Sequence, residues 1–150
     1  MILARFARPA VQAEFQKQVP VMHVLFVEDD AMNRRVVRDM LSVAGVQMAE
    51  AESAEAGLRM IEEGAYDLVL MDLRMPGMDG LTAIQQIRAR GDDKATLPII
   101  VVTADTRLNI CEDCLSGGAD DVLQKPVAMK DLFDSMGKLI AGRTADTAMI

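Results

Sequence analysis

The chain has 150 residues, of which 51% are hydrophobic and 26% are charged, and this is enough to bury the core of one domain that folds alone. The formal net charge of −7 argues against nucleic acid as a direct partner, because phosphate backbones are bound by a surplus of Lys and Arg. It has no apolar run long enough to span a bilayer, and polar residues interrupt any signal-peptide core, so we expect a cytoplasmic protein without membrane contact.

Strand and helix patterns alternate five times after Val21, which predicts a parallel sheet whose strands are joined by crossover helices. The predicted strands are 22–27, 47–50, 68–71, 99–103 and 121–123. The predicted helices are 31–44, 54–62, 81–90, 105–116 and 129–141. We expect Asp30 and Ser53 to cap the first two helices, with Gly45 and Gly64 after their ends.

Polar side chains lie at the end of four of the predicted strands or just after it. In chain order they are Glu28, Asp29 and Asp30, then Asp72, Thr103 and Lys125. In an open parallel sheet the carboxyl ends of the strands form the edge where ligands bind. Carboxylates held close together repel one another, and a divalent cation with a preference for oxygen ligands, such as Mg²⁺, relieves that repulsion. The pattern predicts a site for a divalent metal and a phosphoryl group.

The spacing of these residues, together with the MPGMDG turn after Asp72, resembles the receiver domain of bacterial two-component response regulators over residues 21–141. The resemblance implies an α/β fold of the flavodoxin-like, doubly wound type. Its five-stranded parallel sheet would have the order 2-1-3-4-5 and would be accompanied by five helices. It also implies a phosphoprotein that serves as a signalling switch in a two-component system or phosphorelay.

The same resemblance implies a role for each residue of the site. Asp72 would be the phospho-acceptor. Asp29 and Asp72 would bind Mg²⁺ directly, Glu28 would act through water, and the backbone carbonyl of Arg74 would complete the protein's ligands. Lys125, in a cis peptide bond with Pro126, would neutralise the phosphoryl group. Thr103 would hydrogen-bond a phosphoryl oxygen and thereby repack the fourth helix.

The chain departs from the family pattern at two positions. Glu28 stands where many members have Asp. Val122 occupies the position, three residues before Lys125, where members commonly have an aromatic residue that moves together with the Thr. The aromatic half of the switch is therefore absent, and we expect phosphorylation to be read out differently or more weakly.

We expect the phosphoryl donor to be a sensor histidine kinase or a histidine phosphotransfer protein, and the output to be contact with another protein. The domain would catalyse its own phosphorylation and slow dephosphorylation only. A Mg-dependent phosphohydrolase with an aspartyl-phosphate intermediate is the alternative, but such enzymes usually have a second Asp where this chain has Arg74. A flavin-binding module is disfavoured because three acids after the first strand would repel phosphate.

Two further features have ordinary structural interpretations. Cys111 and Cys114 form a C-x-x-C pattern, which we interpret as packing residues of a helix. We expect them to lie away from the start of that helix, where a reactive thiolate would be stabilised, which disfavours a redox site. A zinc site is disfavoured because His23 is the only histidine, so four ligands cannot be assembled from these three residues. His23 itself is expected to pack in the core or at the sheet edge.

The chain ends lie outside the receiver-like unit. Residues 1–20 form an extension that is either a docking helix or an upstream start. Residues 142–150 are a tail that is too polar to predict a helix, and no output domain is expected in this chain.

Overall fold

The computed structural model describes the backbone of residues 21–149 and the side chains of residues 21–142. It contains a five-stranded parallel sheet in the order β2-β1-β3-β4-β5, which confirms the predicted fold class and strand order. The strands are β1 (His23–Val27), β2 (Gln47–Ala51), β3 (Leu68–Asp72), β4 (Ile99–Thr103) and β5 (Asp121–Gln124). The helices are α1 (Ala31–Val43), α2 (Ala54–Glu63), α3 (Gly80–Arg88), α4 (Ile110–Ser116) and α5 (Met129–Met149), with a short 3-10 helix at Asp93–Thr96.

The side chains of alternate strand residues pack into two hydrophobic cores, one on each face of the sheet. Leu25, Val69 and Val101 pack with residues of α2, α3 and α4 on one face. Phe26 and Leu70 pack with residues of α1 and α5 on the other. Every residue of β3 and β4 is buried, as is expected for strands covered on both faces.

The predicted caps of the first two helices are present. The Asp30 carboxylate accepts hydrogen bonds from the backbone amides of Met32 and Asn33, and the Ser53 hydroxyl accepts one from Ala56. Gly45 has a φ of +74°, the left-handed conformation that ends a helix at low cost only when the residue is Gly. The chain therefore leaves α1 where the sequence predicts.

Helix α4 begins later than predicted, at Ile110 instead of residue 105. The side chain of Asp105 accepts a hydrogen bond from the backbone amide of Arg107 at 2.9 Å. A short acidic side chain that binds nearby backbone in this way competes with helix formation. The segment from Asp105 to Asn109 is consequently a loop at the site.

Helices α3 and α5 end elsewhere than predicted. Helix α3 ends at Arg88 rather than at residue 90. Helix α5 continues through the predicted tail to Met149 instead of ending at residue 141. A single Gly such as Gly142 costs a helix only about 1 kcal/mol relative to Ala, and no proline follows it. The predicted extension, residues 1–20, lies outside the described residues.

The amino-terminal ends of β4 and β5 are tied together by the side chain of Arg88. Its guanidinium donates to the backbone oxygens of Gly118, Ala95 and Leu97 at 2.7 to 2.8 Å and to Asp120 Oδ2 at 3.0 Å. Asp120 Oδ2 also accepts the backbone amide of Ile99 at 2.8 Å. This end of the sheet is thus heavily hydrogen-bonded.

His23 is exposed at the start of β1, so the prediction that it packs in the core or at the sheet edge was wrong. It lies at the amino end of a strand that is paired on both sides, away from the carboxyl ends where Asp72 and Thr103 lie. Within residues 21–149, none of the helices has the length and apolar character needed to cross a bilayer.

Candidate functional site

The candidate site lies at the carboxyl ends of β1, β3, β4 and β5, where the structure brings the predicted residues together. Asp72 is the last residue of β3, and its side chain is 5% exposed. Glu28 follows β1 and is 1% exposed, whereas the neighbouring Asp29 is exposed. The parallel register of β1 with β3 places these acids side by side, because Val27 is paired with Met71.

Three carboxylates converge at this edge of the sheet. Glu28, Asp29 and Asp72 each offer an oxygen, and these oxygens all lie within 4.8 Å of one another. This oxygen-only donor set fits a hard cation such as Mg²⁺, which is typically held by one or two carboxylates with several waters and substrate phosphate. Asp30 is instead occupied in capping α1.

Lys125 connects the two buried acids. Its ammonium group donates to Glu28 Oε1 at 2.7 Å and to Asp72 Oδ1 at 3.2 Å, and its side chain is 19% exposed. The peptide bond between Lys125 and Pro126 is cis, as the family resemblance implies. Lys125 and Glu28 are 97 residues apart in the chain, so only the folded sheet brings them together.

Burial and neighbouring charges shift the pKa values of this pair. Burial raises the pKa of the Glu28 carboxyl above its ordinary value, against the hydrogen bond from Lys125 and together with the negative charge of Asp72. Burial alone would lower the pKa of Lys125. The hydrogen bond to Glu28 and the charges of Asp72 and Glu28 outweigh burial, so the pKa of Lys125 is raised. Lys125 therefore remains a cation beside Asp72 at neutral pH.

Thr103, the last residue of β4, is fully buried, and its hydroxyl accepts a hydrogen bond from the backbone amide of Asp105 at 3.0 Å. The hydroxyl proton remains available for a second partner. Thr103 therefore joins the end of β4 to the loop that precedes α4.

Asp105 is an ion-pair centre that the sequence did not single out. Its side chain is 4% exposed and pairs with Arg74 at 2.6 Å and with Arg107 at 2.7 Å. The hydrogen bond from Arg107, followed by that from Arg74, holds the pKa of Asp105 far below its ordinary value. These pairs link the loop after β3 to the loop after β4. The opposite charges of Arg74 and Asp105 were the available signal, but the two residues are 31 positions apart in the chain, so no local pattern indicated that they pair.

Val122 is half-buried in β5 and packs against the core on the α2, α3 and α4 face. It is paired with Val101 of β4.

Gly80, the last residue of the predicted MPGMDG turn, is the first residue of α3, and its amide donates to the backbone oxygen of Leu73 at 2.9 Å. This contact holds the start of α3 directly against the segment that carries Asp72.

Cys111 lies in the first turn of α4, because that helix begins at Ile110, so the prediction that the C-x-x-C pattern lies away from a helix start was wrong. Cys111 is exposed and Cys114 is buried, and both are free. Burial raises the pKa of the Cys114 thiol, which disfavours its reactive thiolate form.

Comparison with known proteins gives consistent matches. The response regulator receiver domain model matches residues 24–136 of this chain. Sensor protein GacS of Pseudomonas syringae pv. syringae is 34% identical over 134 residues, which cover 88% of this chain and 15% of that protein. Response regulator MprA of Mycolicibacterium vanbaalenii is 36% identical over 125 residues, which cover 83% of this chain and 53% of that protein. The chain thus spans about half or less of these relatives.

A solved structure supports the same assignment. The receiver domain of sensor histidine kinase PA1611 from Pseudomonas aeruginosa PAO1, which has a magnesium ion coordinated in its active site cleft, is 32% identical. It superposes with a TM-score of 0.74 and covers 81% of this chain and 99% of its own. The family match covers β2 to β5, all of β1 except His23, and the strand ends that carry the site. The chain therefore belongs to the response regulator receiver domain family of two-component signalling.

Proposed function

We propose that this domain accepts a phosphoryl group on Asp72 from a phosphohistidine of a sensor histidine kinase or a histidine phosphotransfer protein. The phosphorylated form then acts through contact with another protein, or passes the phosphoryl group on in a phosphorelay. One observation carries the proposal. Three carboxylates meet within 4.8 Å, and the Lys125 ammonium lies 3.2 Å from Asp72 Oδ1.

Mg²⁺ is the cofactor that this donor set fits. Asp29 and Asp72 would bind it directly, Glu28 would bind through water, and the backbone carbonyl of Arg74 would complete the protein's share. When bound, the ion neutralises charge on the phosphoryl oxygens and on the clustered carboxylates. The magnesium ion in the PA1611 receiver supports this assignment.

The transfer itself needs one nucleophilic oxygen. A carboxylate oxygen of Asp72 attacks phosphorus in line with the donor imidazole. The O–P bond of an acyl phosphate forms, and the P–N bond to the imidazole breaks. The imidazole leaves with the electron pair of that bond. Lys125 is already within hydrogen-bond distance of Asp72, so its positive charge is in place to offset the charge of the incoming phosphoryl group.

Thr103 couples the modification to the loop before α4. Its hydroxyl can donate to a phosphoryl oxygen while it accepts from the Asp105 amide, so capture of the hydroxyl pulls on the segment held by that amide. Val122 supplies no ring to move with it. The readout of phosphorylation is therefore assigned to the loop that carries Asp105 and to α4.

The donor protein approaches the carboxyl ends of the strands on the side where α1 lies. There α1 exposes Met32 and Val36, with exposed fractions of 67% and 44%. An apolar depression next to them is lined by Val36, Val37, Pro126 and Val127. This face adjoins Lys125, and its apolar side chains are of the kind found in the buried core of a protein–protein interface.

A phosphohydrolase is the weaker alternative. Such an enzyme would need a general acid two residues after Asp72, and that position is Arg74. An Arg guanidinium does not release its proton in proteins, and this one is paired with Asp105. We therefore propose a regulatory domain rather than an enzyme that turns over a separate substrate.

Phosphorylation by acetyl phosphate tests the acceptor. Wild type with Mg²⁺ is expected to gain one phosphoryl group by intact-mass spectrometry, and Asp72→Ala is expected to gain none. Asp79→Asn is the matched control, because Asp79 is an exposed acid on the same loop and its carboxylate caps α3. Asn caps a helix as well as Asp does. Labelling of Asp72→Ala at the wild-type rate would refute the acceptor assignment.

A further inference from the structure

Arg34 is a buried cation that none of the proposed steps uses. It lies on α1, and the residue is 9% exposed. Its Nη1 donates to the backbone oxygen of Glu28 at 2.8 Å, and its Nε donates to Glu50 Oε1 at 2.8 Å. Burial of an Arg is costly unless its hydrogen-bond donors are satisfied, so a residue of this kind has a defined structural task.

The task follows from the position of the Glu28 carbonyl. Strand β1 ends at Val27, so Glu28 lies just beyond the sheet. The amide of Glu28 still donates to Ala51 O at 2.9 Å, while its carbonyl accepts from Arg34. Both polar groups of the Glu28 backbone are thereby fixed, one to the end of β2 and the other to α1.

Fixing the Glu28 carbonyl constrains the orientation of two adjacent acidic residues, Glu28 and Asp29. The oxygen of Glu28 and the amide nitrogen of Asp29 belong to the same planar peptide unit. The orientation of that unit sets the directions in which the side chains of Glu28 and Asp29 leave the backbone. Arg34 therefore acts on the two adjacent acids of the metal-binding group without contacting their carboxylates.

Glu50 holds the guanidinium in place. It is on β2, accepts from Arg34, and is also paired with Arg38. A guanidinium presents its donors in a rigid planar fork, so it can contact a carbonyl on one side and a carboxylate on the other, which the single ammonium of Lys cannot reproduce. The chain of contacts runs from Glu50 through Arg34 to the peptide that joins Glu28 and Asp29.

We propose that Arg34 is a positioning residue that sets Mg²⁺ affinity by orienting the peptide between Glu28 and Asp29, with Glu50 as its anchor. This inference rests on the proposed Mg²⁺ site. Residues that orient metal ligands from outside typically contribute 10-fold to 100-fold in metal affinity, so removal of Arg34 is expected to weaken Mg²⁺ binding by about 10-fold.

The test is a Mg²⁺ titration of the full chain, followed by the backbone amide resonances of Asp29 and Asp72. Arg34→Gln is expected to raise the Mg²⁺ dissociation constant about 10-fold. Arg38→Gln is the matched control, since Arg38 shares the Glu50 partner but does not contact Glu28. Its dissociation constant is expected to stay within about 2-fold of wild type, which is well below the effect of losing an orienting residue.

A second measurement separates positioning from general loss of structure. At saturating Mg²⁺, Arg34→Gln is expected to accept phosphate from acetyl phosphate at a rate close to that of wild type, because the hydrogen bonds of Arg34 go to Glu50 and to the Glu28 carbonyl and not to Asp72 or Lys125. If Arg34→Gln does not fold, Glu50→Gln replaces it. That variant keeps Arg34 but removes its charged anchor, and about a 3-fold rise in the dissociation constant is expected, a fraction of the effect of removing an orienting residue outright.

The outcomes discriminate between the two proposals. An unchanged dissociation constant in folded Arg34→Gln, or an equal rise in Arg38→Gln, overturns the positioning role while the metal site stands. A rate that stays low at saturating Mg²⁺ also overturns it. Absence of Mg²⁺ binding in wild type overturns the metal site itself and the role of Arg34 with it.

Discussion

Gly80 packs against the backbone of Asp72 so closely that a Cβ added at Gly80 would stand 2.1 Å from the carbonyl oxygen of Asp72. Gly80 has no left-handed φ, so the requirement is for space and not for an unusual backbone conformation. The segment that carries Asp72 and the start of α3 are therefore in direct main-chain contact.

Replacement of Gly80 by Ala is expected to displace α3 or the Asp72 backbone. We expect a loss of about 3 kcal/mol in the free energy of unfolding, the upper range for overpacking, because the clash is with backbone. Urea unfolding measures it. Gly91→Ala is the control, since a Cβ there meets nothing within 4 Å. Equal stability of the Gly80→Ala and wild-type proteins would show that α3 is free to move away from Asp72.

Neutralising Asp29 is expected to weaken metal binding and to relieve repulsion in the apo domain. Asp29→Asn loses a charged oxygen ligand, so the Mg²⁺ dissociation constant should rise by about 10-fold or more, while apo stability rises. Isothermal titration calorimetry and urea unfolding report the two effects. Asp30→Asn is matched to it, because Asp30 caps α1 and Asn is an equally good cap. An unchanged constant in Asp29→Asn would mean that Asp29 is not a ligand.

The response of α4 to phosphorylation is expected to depend on Thr103 and not on Val122. Thr103→Ala removes the hydroxyl that joins the phosphoryl group to the Asp105 loop, so the response of α4 should disappear. Val122→Ala removes only a half-buried aliphatic group and should leave the response nearly intact. Amide hydrogen exchange of α4 and β5, with and without beryllofluoride as the phosphoryl mimic, gives the comparison. Loss of the response in Val122→Ala would refute this assignment.

The Asp105 carboxyl is expected to stay ionised well below pH 3.8, its ordinary pKa, because Arg107 and Arg74 bind its ionised form. A carboxyl whose pKa is depressed on folding stabilises the fold above its ordinary pKa, and this contribution is lost as the pH falls towards the depressed value. Side-chain carbon shifts of Asp105 through an acid titration measure its pKa. Arg107→Gln should move this pKa upwards more than Arg74→Gln does. An equal or reversed order would place the main partner at Arg74.

Most of the fold was predictable because each element follows from local pattern. Local signals of this kind are the apolar runs of β3 and β4, the helix caps at Asp30 and Ser53, and Gly45 after α1. Each of them determines the backbone structure of only a few neighbouring residues. Parallel pairing then brings the strand ends to one edge, which is why the proximity of Glu28, Asp29 and Asp72 was also predictable.

The parts that were missed depend on contacts between distant segments. The ion pair of Asp105 with Arg74 joins residues that lie 31 positions apart in the chain. The proposed role of Arg34 depends on its contacts with both Glu50 and the Glu28 carbonyl, and no periodicity in the sequence indicates these contacts. The need for Gly at position 80 arises from backbone packing, which a sequence pattern does not reveal.

The cross-links made by Arg88 have a mechanical consequence. They join the amino ends of β4 and β5, whereas Asp72, Thr103 and Lys125 are at or just after the carboxyl ends of their strands. Because the amino ends of these strands are held in place, we expect a displacement of Thr103 to move the carboxyl ends of the strands and not the amino ends. If Asp72 is the phospho-acceptor, as proposed, we therefore expect a partner that reads the phosphorylated state to bind at the carboxyl ends of the strands, on the side where phosphate is received.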